Sequence, residues 1–340
     1  MIKDKFFLFV LFVLVSCTQN KGQEIKSLNN FKNFPKEIQA EVTLVTPLDQ
    51  GHGMVIKDSV IYYRTDNPKS SNLLEAYDMT TKTSHSVAKY GSGKGAFLGL
   101  MSFGLLNETI WGYDMTQKKV AKIPIDDSSN IEEIFFDNWH YSTVLLKNNS
   151  FLATGGIDLK QRLRIYDLTS KQFNDLIDFV PAPDNIPEDA WRLANESFLF
   201  YNENENIAAL AYRYTDKVEF INLTSKSNSI TFGPDQFDPK FDVIKQQGRN
   251  YIQRNEDTKF AFNGVGFVSR KYFYLSICNH QHESIHRDLA KDIYVYSSLG
   301  EPKLHVKLPF YISGIHVIND SEVLVYAPSE RGIYRFNISL

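Results

Sequence analysis

The stretch SICNHQHESIHRD, residues 276–288, gathers Cys278, His280, His282 and His286 around Glu283. Inside it, residues 282–286 spell H-E-x-x-H. On a helix, that pattern turns two histidines towards zinc and offers a glutamate to the metal-bound water. A second geometry is open as well, because Cys278, His280 and His282 alternate. On a continued strand they would share one face and converge on zinc, with His286 or a water as fourth ligand.

The protease geometry fails on its surroundings. KYFYLSI at 271–277 and DIYVYSS at 292–298 read as strands, which puts the motif in a connection and not on a helix. A metzincin continuation needs glycine at 289 and histidine at 292, where Leu289 and Asp292 stand, and no later helix carries Glu301 or Glu322 as a third ligand. A solvated polar loop is the expectation, and zinc is the one cofactor these residues suit.

Other chemistry is sparse. The turn YGSGKGAFLG at 90–99 holds Gly91, Gly93, Lys94 and Gly95, but a Walker loop would need glycine at Ala88 and a hydroxyl at Gly95. Gly91-x-Gly93-x-x-Ala96 also lacks the helix of a dinucleotide site, so it reads as a crossing between elements. There is no G-x-S-x-G elbow, and the carboxylates fall in turns, where they bond backbone. Trp139, His140, Trp191 and Arg192 stand just ahead of predicted strands and are candidate binding residues, since aromatic and arginine side chains favour binding patches.

The elements that must position these residues are strands. Short alternating runs are separated by Asp, Asn, Gly, Ser and Thr, with almost no helical spacing. Three phrases recur, AYDMTTKT at 76, GYDMTQKK at 112 and IYDLTSKQ at 165, echoed by FINLTSKS at 220 and VYSSLGEP at 295. Each is a strand, a polar turn closed by Lys or Gly, and a second strand. Strand groups at 50–90, 96–137, 140–180, 193–233, 260–308 and 310–340 predict an all-β, six-bladed propeller. The last group has three strands, so EVTLVT at 41–46 is expected to supply the fourth and close the ring, with Val42 and Leu44 on its buried face.

The N-terminus carries an address. Lys3 and Lys5 precede ten apolar residues at 6–15, too few to span a bilayer, and then Ser16-Cys17. LVSC resembles the lipobox of bacterial lipoproteins, which implies a signal peptide at 1–16 and lipidation of Cys17. Residues 17–34 read as a flexible tether before a propeller at 35–340. Thr18, where some inner-membrane lipoproteins have aspartate, implies by the same resemblance the outer membrane, on either its periplasmic or its surface face. The mature chain has 35 basic and 39 acidic residues, which gives nucleic acid no basic surface. Cys278 is its one cysteine besides Cys17, so stability must come from packing rather than disulfides.

Together the lipobox, the turn at 90–99, TIWGYDMTQKKVAKIPI at 109–125 and DIYVYSSLGEPKLHVKLP at 292–309 resemble the TolB-like six-bladed propeller lipoproteins of bacterial envelopes. The resemblance implies fold and location but little chemistry. The expected function is a membrane-anchored, non-catalytic propeller that binds a partner protein or glycan. The alternative is a hydrolase or lyase acting on saccharide or peptide, assisted by metal at the loop 280–286.

Overall fold

The computed structural model describes residues 25–49, 51–65, 70–127 and 129–340. Six antiparallel sheets stand as blades around a central axis. Their innermost strands are His52–Lys57, Leu100–Leu106, Thr143–Leu146, Ser197–Asn202, Lys259–Val268 and Gly314–Val317, in blades 1 to 6. Blade 6 packs on blade 1, so the ring closes. The strand groups expected from the sequence match these blades, and the fold is the six-bladed propeller.

Each blade must bury both faces, and the apolar residues divide accordingly into six clusters, one at every blade interface. This explains why second strands such as Ser150–Thr154 and Ile207–Tyr212 are buried along their whole length. Strands covered on one side alternate; strands covered on both do not.

The repeated phrases are turns with one local mechanism. The carboxylate of Asp78 accepts the amide of Thr80 at 2.7 Å, Asp114 that of Gln117 at 2.9 Å, Asp167 that of Thr169 at 2.6 Å, and the amide oxygen of Asn222 that of Thr224 at 3.0 Å. Four residues after each, Lys82, Lys118, Lys171 and Lys226 take φ of 57°, 53°, 56° and 57° to close the loop. In blades 1, 3 and 4 the turn joins the third and fourth strands, whereas in blade 2 it joins the second and third. Irregular spacing of the phrases reflects that change of place.

Ring closure comes from the N-terminal side. Thr43–Pro47 pairs antiparallel with Gly332–Asn337 as the outer strand of blade 6. The buried positions, however, are Thr46 and Leu48, while Leu44 is 50% exposed. A register shift between Ile333 and Tyr334 skips Val45 and breaks the expected alternation, although Val42 still packs against the core between blades 5 and 6.

The flexible tether expected up to residue 34 ends earlier. Ile25–Asn30 runs parallel to the outer strand of blade 4, and Glu37–Gln39 runs parallel to that of blade 5. Between them Phe31 and Phe34 pack edge-on at 4.7 Å, with Phe34 4.5 Å from Tyr294. Two phenylalanines in an otherwise polar run have this partner only after blade 5 is built. The segment thus covers three successive outer edges that would otherwise expose unpaired backbone.

Candidate functional site

The six inner strands enclose a central cavity of about 390 Å³. Its wall is largely apolar, with Met54, Phe103, Phe198, Phe200, Phe267 and Ile315. Gly264, at φ +80°, lets the Phe198 ring approach where a side chain would collide at 2.5 Å. Two serines in the wall bond between blades: Ser142 Oγ lies 3.3 Å from Ser102 Oγ and accepts the Leu199 amide at 3.3 Å. The one carboxylate among the described lining residues, Glu203, pairs with Lys147 at 2.5 Å.

Polar chemistry gathers instead at one end, called the upper face here, where the crossings between blades and the connections between second and third strands emerge. Two long crossings, 179–196 and 233–258, and the loop 282–289 meet there over blades 3 to 5. Arg213 is the hub. Its Nη1 donates to Tyr141 Oη at 2.6 Å, its Nη2 reaches Asp288 Oδ1 at 3.3 Å, and its guanidinium lies 5.0 Å from the Phe260 ring. Arg254 lies 6.0 Å from the same ring, and His282 stacks on it at 5.9 Å.

Burial raises the carboxyl of Glu196 to about 7, against the opposing pull of Arg213 and Arg254. Burial also lowers His282, with Arg254 and Arg287 adding to the effect. Buried Tyr141 and half-buried Arg213 form the floor, whereas Asp288, 54% exposed, and Arg254 present charge to solvent. An aromatic base carrying mobile charges of both signs suits recognition of a polar partner.

The histidine loop is a turn, as expected, but its residues do not assemble a metal site. Among the described residues no three His, Cys, Asp or Glu side chains converge to hold an ion. The strand Tyr272–Gln281 does continue through Cys278 and His280, but Asn279, at φ 51°, makes a bulge opposite Phe260–Phe262 that breaks the alternation. Cys278 therefore points into the core between blades 5 and 6, where burial pushes its thiol well up. His280 lies 5.7 Å from the Tyr311 ring, His286 stacks on that ring at 4.2 Å, and His282 turns to Phe260.

The four candidate binding residues serve the scaffold. His140 is buried, Nδ1 lies 3.0 Å from the Thr154 carbonyl, and burial holds its ring neutral with a pKa of about 4. Trp139 lies against Gly156, where a Cβ would meet its carbonyl at 2.6 Å. Trp191 and Arg192 belong to the helix Glu188–Ala194, too short to show a period in the sequence. Trp191 Nε1 donates to the Val180 carbonyl at 3.0 Å and Arg192 Nη1 to the Ile157 carbonyl at 3.2 Å, pinning the crossing.

The glycine turn is the expected crossing between blades 1 and 2. The Gly95 amide already donates to Glu133 at 3.0 Å, and Lys119 donates to the same carboxylate at 2.6 Å. The rim residues Tyr141, Glu196, Arg213, Arg254 and Asp288 escaped the sequence reading. They are scattered along the chain and carry no shared local signal.

A model of the TolB-like six-bladed propeller family matches residues 30–320. Among solved structures, a member of the DUF4221 family from Bacteroides vulgatus superposes with a TM-score of 0.54 at 11% identity, over 91% of this chain and 99% of that one. A protein from Bacteroides fragilis, described as exported, does so with a TM-score of 0.54 at 8% identity, over 92% and 99%. Identities this low speak for the fold alone. No curated protein matches the sequence. Six blades, a ring closed from the N-terminal side and a family match over most of its length place the chain in the TolB-like six-bladed propeller family.

Proposed function

We propose that this protein is a bacterial envelope lipoprotein that binds a partner protein on its upper face, without catalysis. The observation that supports the reading is the contrast between the central channel and the upper rim. Apolar side chains form much of the channel wall, whereas Arg213, Arg254 and His282 lie against Phe260, with Asp288 beside Arg213, on an open rim. Ile285, 89% exposed in the adjoining loop, adds an aliphatic contact.

A photo-crosslinking side chain placed at 288, in intact cells, tests the reading. A discrete protein adduct is expected from position 288 and none from position 108, which lies on the opposite face. Arg254→Ala should reduce the adduct about tenfold, the effect of losing a rim contact worth 1 to 2 kcal/mol. Equal adducts at both positions, or none at 288, would sink the proposal.

Attachment through lipid at Cys17 belongs to the same proposal, and that residue lies outside the described residues. Among the described residues, no helix is long and apolar enough to cross a membrane. Eight Cα–Cα steps separate Cys17 from Ile25, the start of the strand on blade 4. Fully extended they reach about 27 Å, so a lipid there would hold the edge of blade 4 close to the bilayer. Labelled palmitate is expected to enter the wild type and to be absent from Cys17→Ala, with that variant soluble or unprocessed. Unchanged labelling would reject the anchor.

A further inference from the structure

The crossing 233–258 carries a hairpin that belongs to no blade, Asp242–Gln246 paired with Arg249–Gln253. Its two-residue turn, Gln247-Gly248, has φ of 50° and 80°, the signature of a type I′ turn. In that geometry the flanking residues Gln246 and Arg249 exchange hydrogen bonds, and so do Ile244 with Tyr251 and Asp242 with Gln253. The intervening residues direct their backbone groups outward. These are Asn250 and Ile252 on one edge, Val243 and Lys245 on the other.

The two edges have different fates. The Asn250 amide donates to Asp189 Oδ2 at 2.8 Å and its side chain reaches Oδ1 of the same carboxylate at 3.0 Å, so the helix Glu188–Ala194 seals that edge. On the other edge, the amides and carbonyls of Val243 and Lys245 meet no partner among the described residues. All five residues of that strand are exposed, with Val243 at 41% and Ile244 at 37%. An open edge of this kind is a template for another strand.

We infer that this edge receives an extended segment of the partner protein as a third strand. The inference rests on the upper face being the protein-binding face, which it deepens by giving the mode of recognition. The segment's backbone would bond to Val243 and Lys245, and its alternate side chains would lie against Val243 or Ile244. A second copy of the hairpin meets the same groups, but a five-residue edge falls far short of the roughly 1,200 Å² that stable interfaces bury. A segment of a partner also docked on the rim adds its backbone bonds, about 1 kcal/mol each, to an interface already formed, and multivalent display on phage gives an isolated peptide the same advantage.

A phage-displayed library of short linear peptides, panned against the mature protein with Val243→Pro as counter-target, tests the inference. Proline at 243 removes an outward amide and leaves the ladder to Arg249–Gln253 in place. Enriched peptides are expected to lose about tenfold in affinity on Val243→Pro, to slow exchange of the Val243 and Lys245 amides, and to lose binding when N-methylated at alternate residues. Peptides that bind both proteins equally, or no enrichment, overturn the edge and leave the rim reading to its own crosslinking test. A wild-type dimer in sedimentation that Val243→Pro dissociates overturns the peptide in favour of a second copy. Should Val243→Pro misfold, amide exchange on the wild type with native and N-methylated peptides decides the same question.

Discussion

Deletion of residues 38–46 is expected to abolish cooperative folding of the whole domain, not to fray one end. The deletion removes most of the outer strand of blade 6, whose ladder runs from Gly332 to Arg335, and the parallel strand on blade 5. It also removes Ile38, Ala40 and Val42 from the core between blades 5 and 6. A ladder bond contributes about 1 kcal/mol and a buried aliphatic side chain about 1.5 to 3 kcal/mol. The loss is then of order 5 kcal/mol or more, comparable with the 5 to 15 kcal/mol by which a domain is stable at all. Thermal melting by circular dichroism is the measurement. A truncated protein that melts at the wild-type temperature would contradict closure by this strand.

Glu219→Ala is expected to cost about 3 to 5 kcal/mol in urea unfolding, the range for breaking a buried ion pair from one side. Glu219 and Arg162 are 2% and 6% exposed and meet at 2.5 Å. The same carboxylate accepts the Tyr212 hydroxyl at 3.0 Å and the side-chain amide of Asn228. Lys217 stands beside this group with its ammonium 3.8 Å from the centre of the Tyr212 ring, and burial lowers its pKa to about 8. Removing the carboxylate takes from Arg162 and Lys217 an anion that helps compensate them in a low-dielectric interface. Glu322→Ala, whose partner Arg335 is 52% exposed, should cost under about 1 kcal/mol and serves as the control. If the two variants unfold at the same urea concentration, the buried network is not stabilising in the way its geometry implies.

Neither site of greatest interest could be read with the same ease as the blades. The blades follow from local rules. An Asp or Asn that caps a turn, with a left-handed Lys four residues on, leaves its mark in the sequence because the bonds run between near neighbours. The expectation of a loop holds from His282 onward, whereas Cys278 and His280 lie in the strand Tyr272–Gln281, and Cys278, His280 and His282 do not share one face. The reason is a single left-handed residue, Asn279, and the bulge it makes depends on how the opposing strand is registered. Likewise Trp139, His140, Trp191 and Arg192 were correctly placed at strand entrances, but whether an entrance points to solvent or to a neighbouring crossing depends on what packs above it.

The sequence by itself determined the strand content, the number of blades, the turn chemistry and the need for an N-terminal strand to complete the ring. Each rests on alternation or on contacts a few residues apart, and in blade 6 on counting strands. Tertiary structure alone decided that Ile25–Asn30 is held on blade 4, that the register of Thr43–Pro47 buries Thr46 and not Leu44, and that Tyr141, Arg213, Arg254 and Asp288 share one rim. These residues come from different blades, and only the packing of blades 3 to 5 against one another sets them side by side. It also decided that one edge of the hairpin at 242–253 is sealed by Asp189 and the other left open. The physical reason is common to all of them. A side chain's rotamer and partners are set by what lies opposite, and in a propeller the opposite surface comes from a neighbouring blade and often from distant sequence.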